Sequence, residues 1–247
     1  MLRSLRTTVG SRLEHRTRAL PPMRRARFDL VTGLLEELAD DCPLEVLDAG
    51  TGEALLAERL ARRHPAWRIV GVEVDRALLQ RGRRRLTDAG LPNVELVETD
   101  VMKPLAAGPF DVVLAIECLV EIPDDEVALR NLAAVLKPGG ILIAHVPREG
   151  WSPVLRSSAR HWRLEVRHGY REGELVRLAE SAGLTVTSLT PTARSMLFLG
   201  QEVADRVKDR PVRVRAAFLP ITETAVALER WGITWGPSRA LLLIARR

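Results

Sequence analysis

Four acidic residues each come at the end of a short apolar stretch that is predicted to be a buried strand. They are Asp48, Glu73, Asp100 and Glu117. The carboxyl ends of parallel strands meet at one edge of a sheet, where α/β proteins bind their ligands. Carboxylates at this edge can accept hydrogen bonds from the hydroxyl and amino groups of a bound molecule. The four acids therefore predict a ligand site, although a single acid of this kind can also be a helix cap.

A glycine turn accompanies the first of these acids. The stretch 45–54 reads E-V-L-D-A-G-T-G-E-A, in which Gly50 and Gly52 separate a short strand from a helix that begins near Glu53. Strand, glycine turn and helix together let a cofactor lie against bare backbone at a helix N-terminus. Glu73 follows Gly52 by 21 residues, a distance suited to accepting hydrogen bonds from ribose hydroxyls.

The elements that must position these residues alternate between strands and helices. Apolar and β-branched runs predict the strands, and apolar residues at helical spacing predict the helices, the first of them over residues 28–40. The predicted strands cover residues 45–47, 68–74, 94–98, 110–116, 141–146, 184–190 and 238–245. This alternation is typical of an α/β fold with a doubly wound, mostly parallel, Rossmann-like sheet, here of seven strands.

Three parts of the chain are expected to differ in role. Residues 28–190 and 237–247 form the predicted cofactor-binding core, and residues 1–27 form a basic N-terminal arm. Residues 191–236 are far longer than a hairpin turn requires, and their apolar spacing predicts two inserted helices. This helical insertion is either a cap over a substrate pocket or a packing and oligomerisation element.

Composition restricts the class of protein. The 247 residues suffice for one sizeable core, and 46% hydrophobic with 28% charged residues is typical of a folded globular protein. No apolar run reaches the roughly 20 residues of a membrane-spanning helix, so no membrane partner is predicted. Cys42 and Cys118 have no metal-ligand spacing, so no metal is predicted and a cytoplasmic location is expected.

The positive charge is concentrated in the N-terminal arm. Residues 1–27 contain eight arginines and one glutamate, a charge of +7, which leaves −2 for the rest of a chain whose net charge is +5. The folded body is therefore not predicted to be a nucleic-acid surface. The arm is most simply a solvated segment or a lid helix, although its arginine, serine and threonine content also resembles a transit peptide.

Five motifs follow one another along the chain. They are V-L-D-A-G-T-G at 46–52, V-G-V-E-V-D at 70–75, Asp100 after the third strand, F-D-V-V-L-A-I-E-C-L-V-E-I-P-D-D at 110–125 and V-L-K-P-G-G at 135–140. Together they resemble the class I S-adenosylmethionine-dependent methyltransferases, especially the small-molecule branch with the ubiquinone and menaquinone enzymes. The resemblance implies an antiparallel last strand, S-adenosyl-L-methionine as cofactor, and methyl transfer to an oxygen, carbon or nitrogen atom of a small molecule.

The same resemblance implies a cofactor role for nine residues. They are Asp48, Ala49, Gly50, Gly52, Glu73, Val74, Asp100, Val101 and Glu117. By the family pattern, Asp48 and the glycine turn would hold the methionine portion, and Glu73 would bind the ribose hydroxyls. Asp100 would bind the adenine amino group, with the backbone of Val101 and Met102 beside the ring.

Catalysis in this family needs little from the protein, because the sulfonium already activates the methyl group and positioning supplies most of the rate. By resemblance, Glu117 and Cys118 would line the wall near the methyl group. A general base is needed only if the acceptor must lose a proton. The candidate bases are Glu117 and His145, with His161 and His168 as further histidines. A single histidine of this kind is more often structural, His145 as a hydrogen-bonded core residue and the other two as loop surface.

Two positions depart from the family pattern. Ala54 stands at the third glycine, where a small residue still allows close backbone approach. The frequent glutamate-histidine pair after the fourth strand reads Val120-Glu121, which removes a histidine that would be a candidate base.

The substrate is expected to be a small molecule, and oligomerisation is possible. Tyr170 is the only tyrosine, and several cationic and aromatic residues lie near it in sequence: Arg148, Arg171, Trp151 and Trp162. Such a group would bind an anionic or aromatic substrate, unless Tyr170 packs at the start of a helix.

Three other functions fit parts of the pattern. A methyltransferase-like protein that binds the cofactor without transferring methyl would have the same cofactor residues. An RNA methyltransferase would use the basic arm. An NAD-dependent oxidoreductase has a similar glycine turn, but Leu55 occupies its third glycine position and no Tyr-x-x-x-Lys pair is present.

Overall fold

The computed structural model of the protein describes residues 21–40, 42–150, 166–233 and 236–247. Its helices are α1 (Pro22–Ala39), α2 (Leu55–Arg63), α3 (Arg76–Ala89), α4 (Asp125–Ala134), α5 (Glu172–Ser181), α6 (Ser195–Val207) and α7 (Val212–Arg230). Its strands are β1 (Glu45–Ala49), β2 (Arg68–Glu73), β3 (Val94–Glu98), β4 (Phe110–Ile116), β5 (Leu136–Pro147), β6 (Thr185–Arg194) and β7 (Ser238–Arg246). A single 3₁₀ turn, Leu119–Glu121, follows β4 among these residues.

The seven strands form one sheet in the order β3-β2-β1-β4-β5-β7-β6. The strands from β3 to β5 are parallel, and β7 runs antiparallel to β5. The strand order reverses between the neighbouring strands β1 and β4, and doubly wound folds bind their ligands at such a point. The predicted fold is therefore confirmed, including the antiparallel last strand and the helical insertion before it.

The core explains why the central strands read as continuous apolar runs. Fully buried side chains come from five neighbouring strands: Val70, Leu47, Val113, Leu142 and Leu243. Helices α4 and α5 add Leu129, Leu132 and Leu175. A strand covered on both faces has no polar alternation, and each buried leucine or valine contributes about 1.5–3 kcal/mol.

Several boundaries differ from those that the sequence predicts. Helix α1 begins at Pro22, within the predicted arm, because proline is compatible with a first helical turn. Strand β5 begins at Leu136, so that the Lys137–Gly140 turn chemistry lies inside the strand. Strand β6 continues to Arg194, past the predicted start of the insertion at residue 191.

The described residues group into two compact units. The larger contains residues 35–40, 42–150, 166–192 and 239–247, and it holds most of the sheet. The smaller contains residues 21–34, 193–233 and 236–238, and in it an ion pair of 2.8 Å joins Arg25 to Glu223 on α7. In the part of the chain described, no helix is both long and apolar enough to cross a membrane.

Candidate cofactor and active site

The turn after β1 has a backbone that suits glycine. Gly50 and Gly52 have φ angles of 66° and 58°, in the left-handed region. The Thr51 backbone N–H donates to the Val72 carbonyl at 3.0 Å and ties the turn to β2. Ala54 also has a positive φ, 59°, so this position keeps a glycine-like backbone at a strain of roughly 1–2 kcal/mol.

The two glycines of the turn have different surroundings. A Cβ added to Gly50 would lie 2.4 Å from the Cβ of Cys118, so the segment after β4 packs directly onto this residue. A Cβ added to Gly52 would meet nothing within 4 Å. The backbone of Gly52 therefore borders open space that a bound molecule can approach.

The Asp48 carboxyl lies beneath this turn and is only 3% exposed. Its Oδ2 accepts a hydrogen bond of 2.6 Å from the Thr51 hydroxyl. Burial raises the pKa of Asp48 from 3.8 to about 6, while the Thr51 hydrogen bond lowers it and the Glu73 carboxylate raises it. A buried carboxylate with one hydroxyl donor is a suitable partner for a bound cation.

Glu73 ends β2 with its carboxylate against the glycine turn. Its Oε2 accepts from the Gly52 N–H at 3.0 Å, and its Oε1 accepts from the N–H groups of Val74 and Asp75 at 2.9 and 3.0 Å. The neighbouring Val74 is 67% exposed, which is unusual for an apolar residue beside a carboxylate. The structure thus brings Glu73, Gly52 and an exposed apolar surface together.

Asp100 follows β3, where the chain turns back along the edge of the sheet. Its Oδ1 accepts from the Met102 N–H at 2.9 Å, and its carbonyl accepts from the Lys103 N–H at 2.9 Å. The Asn131 side chain on α4 donates to the Val101 carbonyl at 3.0 Å. These bonds fix the backbone of residues 100–102, whose predicted role is to surround an adenine ring.

Glu117 and His145 end the neighbouring strands β4 and β5 and are hydrogen-bonded to each other. The distance between Glu117 Oε1 and His145 Nδ1 is 2.6 Å, and the Glu117 N–H donates to the His145 carbonyl at 2.8 Å. The other ring nitrogen, Nε2, lies 3.1 Å from the Thr192 hydroxyl. His145 is 2% exposed, so this histidine is buried within the network. The structure joins the two predicted catalytic residues, and their role stays a prediction.

Two further groups lie after β4. Burial, followed by the nearby Asp48 carboxylate, raises the pKa of the Cys118 thiol well above its usual range, so this cysteine is a neutral wall residue. Burial also raises the pKa of Glu121, with further contributions from the carboxylates of Glu73 and Glu117. The mutual repulsion of these acids favours a cationic ligand between them.

Tyr170 is a core residue. It is fully buried, and its hydroxyl donates to Asp125 Oδ2 at 2.7 Å and lies 3.2 Å from the Leu119 carbonyl oxygen. The Arg167 guanidinium stacks on its ring at 3.8 Å and pairs with the same Asp125. The structure therefore favours packing over substrate binding for this residue.

Replacement of Tyr170 by phenylalanine is expected to lower the free energy of unfolding by about 1.5–3 kcal/mol, because a hydrogen bond to a charged carboxylate is lost in the core. Urea denaturation of the variant measures this loss. An unchanged stability would mean that the hydroxyl does not support the fold and is available to a ligand.

The structure places Arg148 and Arg171 beside Tyr170, and each of the two arginines is paired with an acidic side chain. Arg148 pairs with Glu172 at 3.0 Å, and the exposed Arg171 pairs with Glu149. His168 is exposed, whereas His161, Trp151 and Trp162 lie outside the described residues. Within the ranges that the structure covers, no group of three or more histidine, cysteine or acidic side chains could hold a metal ion.

Three polar residues of the site were not predicted to be functional. Thr51 could have been found, because it lies inside the glycine motif beside Asp48. Asn131 and Thr192 carry no motif, and their contacts join positions 30 and 47 residues apart in sequence.

Comparison with known proteins identifies the type of domain. Residues 46–140 match the family model of a methyltransferase domain. The ubiquinone biosynthesis O-methyltransferase of Thiobacillus denitrificans is 30% identical over 156 residues, which cover 59% of this chain and 66% of that relative. The chain spans about half the length of other curated relatives that it matches, between 45% and 55%.

Solved structures show the same fold at low sequence identity. The N-methyltransferase NodS from Bradyrhizobium japonicum, solved with S-adenosyl-L-homocysteine, superimposes with a TM-score of 0.57 at 18% identity, covering 96% of this chain and 97% of that one. The cyclase SpnF superimposes with a TM-score of 0.63 at 23% identity, covering 87% and 81%. With the predicted motifs, the sheet order and the matching family model all in agreement, the chain carries a methyltransferase domain of the class I, S-adenosylmethionine-dependent type.

Proposed function

We propose that this protein transfers a methyl group from S-adenosyl-L-methionine to a small-molecule acceptor. The observation that carries the proposal is the contact of 3.0 Å between the Glu73 carboxylate and the Gly52 N–H, beside the open space at Gly52. A molecule that is both cationic and rich in hydroxyl groups fits this edge, where ribose hydroxyls would meet Glu73 and an ammonium would meet Asp48.

The remaining cofactor residues support the same orientation. Gly50 and Gly52 would border the methionine portion, and the exposed Val74 would contact the adenine ring. Asp100, with its fixed backbone at Val101, would bind the adenine amino group. These assignments extend the family pattern to residues whose positions fit it.

The chain's own chemistry would be modest. When bound, the cofactor supplies a methyl group already activated by the positive sulfur. The residues after β4 would then position the acceptor, exclude water and receive any proton that the acceptor loses. Glu117 would receive that proton, and its side-chain exposure of 24%, against 3% for His145, supports this assignment.

The finer assignment to the ubiquinone and menaquinone branch is part of this proposal. The relative from Thiobacillus denitrificans supports it, while its 30% identity leaves the acceptor open. We also propose that residues 191–236 form a cap over the acceptor and that residues 1–27 are a basic arm outside the core. The acceptor itself would be anionic or aromatic.

A second candidate is a protein that binds the cofactor but catalyses another reaction. The fold shared with the cyclase SpnF favours it, because the same fold accompanies a reaction other than the one named for NodS.

One experiment separates these candidates. Purified protein is incubated with methyl-labelled S-adenosylmethionine and the small-molecule fraction of a cell extract, and the extract is then searched for a labelled metabolite. A labelled product supports the methyltransferase. Cofactor binding by calorimetry without any labelled product would instead support the second candidate, and binding of NADH in place of S-adenosylmethionine would overturn both.

Replacement of Glu73 by alanine is expected to weaken S-adenosylmethionine binding by about 100-fold, because two charge-assisted hydrogen bonds to ribose are lost. Replacement by glutamine keeps a neutral acceptor, and about tenfold of the affinity should be lost. Isothermal titration calorimetry measures both values.

Glu98 provides the matched control for this measurement. It ends the neighbouring strand β3 in register with Glu73, but its side chain is half exposed and faces Arg76 at 3.9 Å. Glu98→Ala should leave the affinity unchanged. Equal affinities for Glu73→Ala and the unaltered protein would contradict the ribose assignment.

A further inference from the structure

Glu117, His145 and Thr192 form a row of hydrogen bonds across the end of the sheet. Glu117 follows β4, His145 lies on β5 and Thr192 lies on β6, all within the larger unit. Strand β7 separates β5 from β6, with Leu242 as the partner of His145. The bond of 3.1 Å from His145 Nε2 to the Thr192 hydroxyl therefore reaches past a complete strand.

For an ionised Glu117 and a neutral His145, the chemistry of the three groups gives one consistent set of proton positions. An ionised carboxylate only accepts hydrogen bonds, so the 2.6 Å contact requires His145 Nδ1–H to donate to Glu117. In the neutral ring Nε2 is then an acceptor, and the Thr192 hydroxyl donates to it. Thr192 thus favours the one tautomer that supports an ionised Glu117.

The backbone of Glu117 is held in an unfavourable conformation. Its φ is 64°, and a residue with a Cβ pays roughly 1–2 kcal/mol there. The hydrogen bond from its N–H to the His145 carbonyl helps to hold this conformation. Strain of this kind is common where a side chain must be aimed at a ligand.

The two ends of the row differ from its middle. His145 is buried, whereas the Glu117 side chain is 24% exposed and Thr192 is half-buried. The Glu117 end also adjoins the glycine turn, because the next residue, Cys118, packs on Gly50. Glu117 is therefore the member that can meet a ligand at the turn, and His145 can act only through it.

We propose that Thr192 is a positioning residue for methyl transfer: it locks the tautomer of His145, which in turn holds Glu117 as an ionised base for an acceptor whose nucleophile is a hydroxyl. The acceptor oxygen forms a bond to the methyl carbon as the bond from that carbon to the cofactor sulfur breaks, and the electron pair of the broken bond stays on sulfur. The acceptor hydroxyl gives its proton to Glu117 Oε2, while Oε1 keeps the hydrogen bond from His145 Nδ1–H. One proton leaves the acceptor and one is gained by the carboxylate. This inference rests on the proposed function, and it makes His145 a positioning residue as well.

Nitrogen-15 NMR of histidine-labelled protein reads the tautomer directly, without any cofactor. The unaltered protein should show a protonated Nδ1 and an unprotonated, hydrogen-bonded Nε2 at His145. Thr192→Val should shift this signature towards a mixture of tautomers, because Nε2 has lost its donor. Thr192→Ser should restore it, because serine supplies the same hydroxyl.

A matched control lies on the same strand. The Thr187 hydroxyl donates to the Ile244 carbonyl at 3.0 Å and contacts neither His145 nor Glu117 in the hydrogen bonds described. Thr187→Val therefore removes a hydroxyl from β6 without touching the row. It should leave the NMR signature of His145 unchanged. A shift equal to that of Thr192→Val would contradict the proposal that Thr192 fixes the tautomer of His145.

The effect on catalysis is measured as the initial rate of label transfer from methyl-labelled S-adenosylmethionine into the small-molecule fraction of an extract. At saturating cofactor, Thr192→Val should slow transfer by about tenfold or more and shift the acid limb of the pH–rate profile, as expected for a disturbed base. The affinity for S-adenosylhomocysteine should not change. Thr192→Ser should recover the rate.

The outcomes distinguish this inference from the function on which it rests. An unchanged tautomer in Thr192→Val, or a slower rate explained entirely by unfolded protein, overturns the role of Thr192 while methyl transfer stands. If the unaltered protein transfers no methyl, the proposed function and the base are overturned together. The NMR signature then still decides whether Thr192 fixes the ring.

Discussion

Replacement of Gly50 by alanine is expected to lower the free energy of unfolding by about 2–4 kcal/mol, whereas the same replacement at Gly52 should cost only about 1 kcal/mol. The affinity for S-adenosylmethionine is expected to fall more at Gly52, relative to the stability lost, than at Gly50. Gly52→Ala should remain folded and bind S-adenosylmethionine at least about tenfold more weakly, so it is the variant that tests the cofactor site.

The stability difference follows from the surroundings of two similar backbones. Both glycines have φ near +60°, so an added Cβ introduces the same backbone strain at each. At Gly50 that Cβ would also lie 2.4 Å from the Cβ of Cys118, and either the turn or the segment after β4 must move. Ala54, at φ 59° in the same turn, shows that the fold already tolerates the strain alone.

The binding difference follows from the open space at Gly52. A methyl group there meets no protein atom within 4 Å, so it projects into the region that the cofactor is proposed to occupy. Glycine in such a turn allows a bound molecule to approach the backbone closely, which is the role that we propose for Gly52. Loss of one methyl-sized space in a close contact should weaken binding by at least about tenfold.

Urea denaturation and calorimetry with S-adenosylmethionine measure the two effects separately. A second change tests the cause at Gly50: Cys118→Gly removes the Cβ that the new alanine methyl group would meet, so Gly50→Ala should cost less stability in a Cys118→Gly background than in the unaltered protein. Equal stability losses at Gly50 and Gly52 would contradict the packing argument. Tight cofactor binding by Gly52→Ala would contradict the position of the site.

The residues at the strand ends could be predicted because a parallel sheet converts sequence order into position. Asp48, Glu73, Asp100 and Glu117 each follow an apolar strand, and the sheet order places those strands side by side. The glycine turn could also be predicted, because a backbone with positive φ strongly favours glycine. Local rules therefore sufficed for the fold and for this edge.

Contacts between distant segments could not be predicted in this way. Nothing near Gly50 in sequence indicates that Cys118 packs on it, and nothing near His145 indicates Thr192. Both contacts depend on how far a strand continues before the chain turns, as with β6, which reaches Arg194. Strand ends are weakly encoded, because they depend on the packing of the whole sheet.

The burial of Tyr170 also could not be predicted from the residues near it in sequence. Tyr170 lies among charged and aromatic residues in sequence, which suggested a substrate surface, yet its ring is enclosed and its hydroxyl bonds Asp125. A tyrosine has an apolar ring and a polar end, so the same sequence suits either position. The position of its hydrogen-bond partner Asp125, 45 residues away in sequence, decides whether the tyrosine is buried or available to a substrate.

Replacement of Asp48 by asparagine is expected to stabilise the protein above pH 6 and to change its stability little below pH 4. The folded-state pKa of Asp48 is about 6, above its usual 3.8, because burial opposes the charged form. Protonated Asp48 therefore stabilises the fold below pH 4, and that contribution is lost as the pH rises through 6. Asparagine is neutral throughout, and its carbonyl can still accept from Thr51.

The size of the effect is measurable within a mild pH range. Between pH 5 and pH 8 the stability advantage of Asp48→Asn should grow by about 1.4 kcal/mol. Urea denaturation at several pH values gives this difference, and carboxyl carbon-13 NMR gives the pKa itself. Thr51→Val provides the matched variant: it removes the hydroxyl that lowers the pKa, so the transition should move above pH 6. A pH-independent difference would contradict the burial argument.

The same protonation should control cofactor binding in the opposite sense. An ionised Asp48 attracts the cationic methionine end that we propose it holds, whereas a protonated Asp48 does not, so the affinity for S-adenosylmethionine should fall as the pH drops below 6. Asp48→Asn should bind weakly at every pH, because it has no charge to lose. A buried carboxylate that binds a cationic ligand destabilises the ligand-free fold, because it has lost its hydration. Its replacement by a neutral residue is therefore expected to stabilise the protein and to weaken binding. Calorimetry from pH 5 to pH 8 tests this: an affinity that is flat in the unaltered protein would show that Asp48 does not contact the cation.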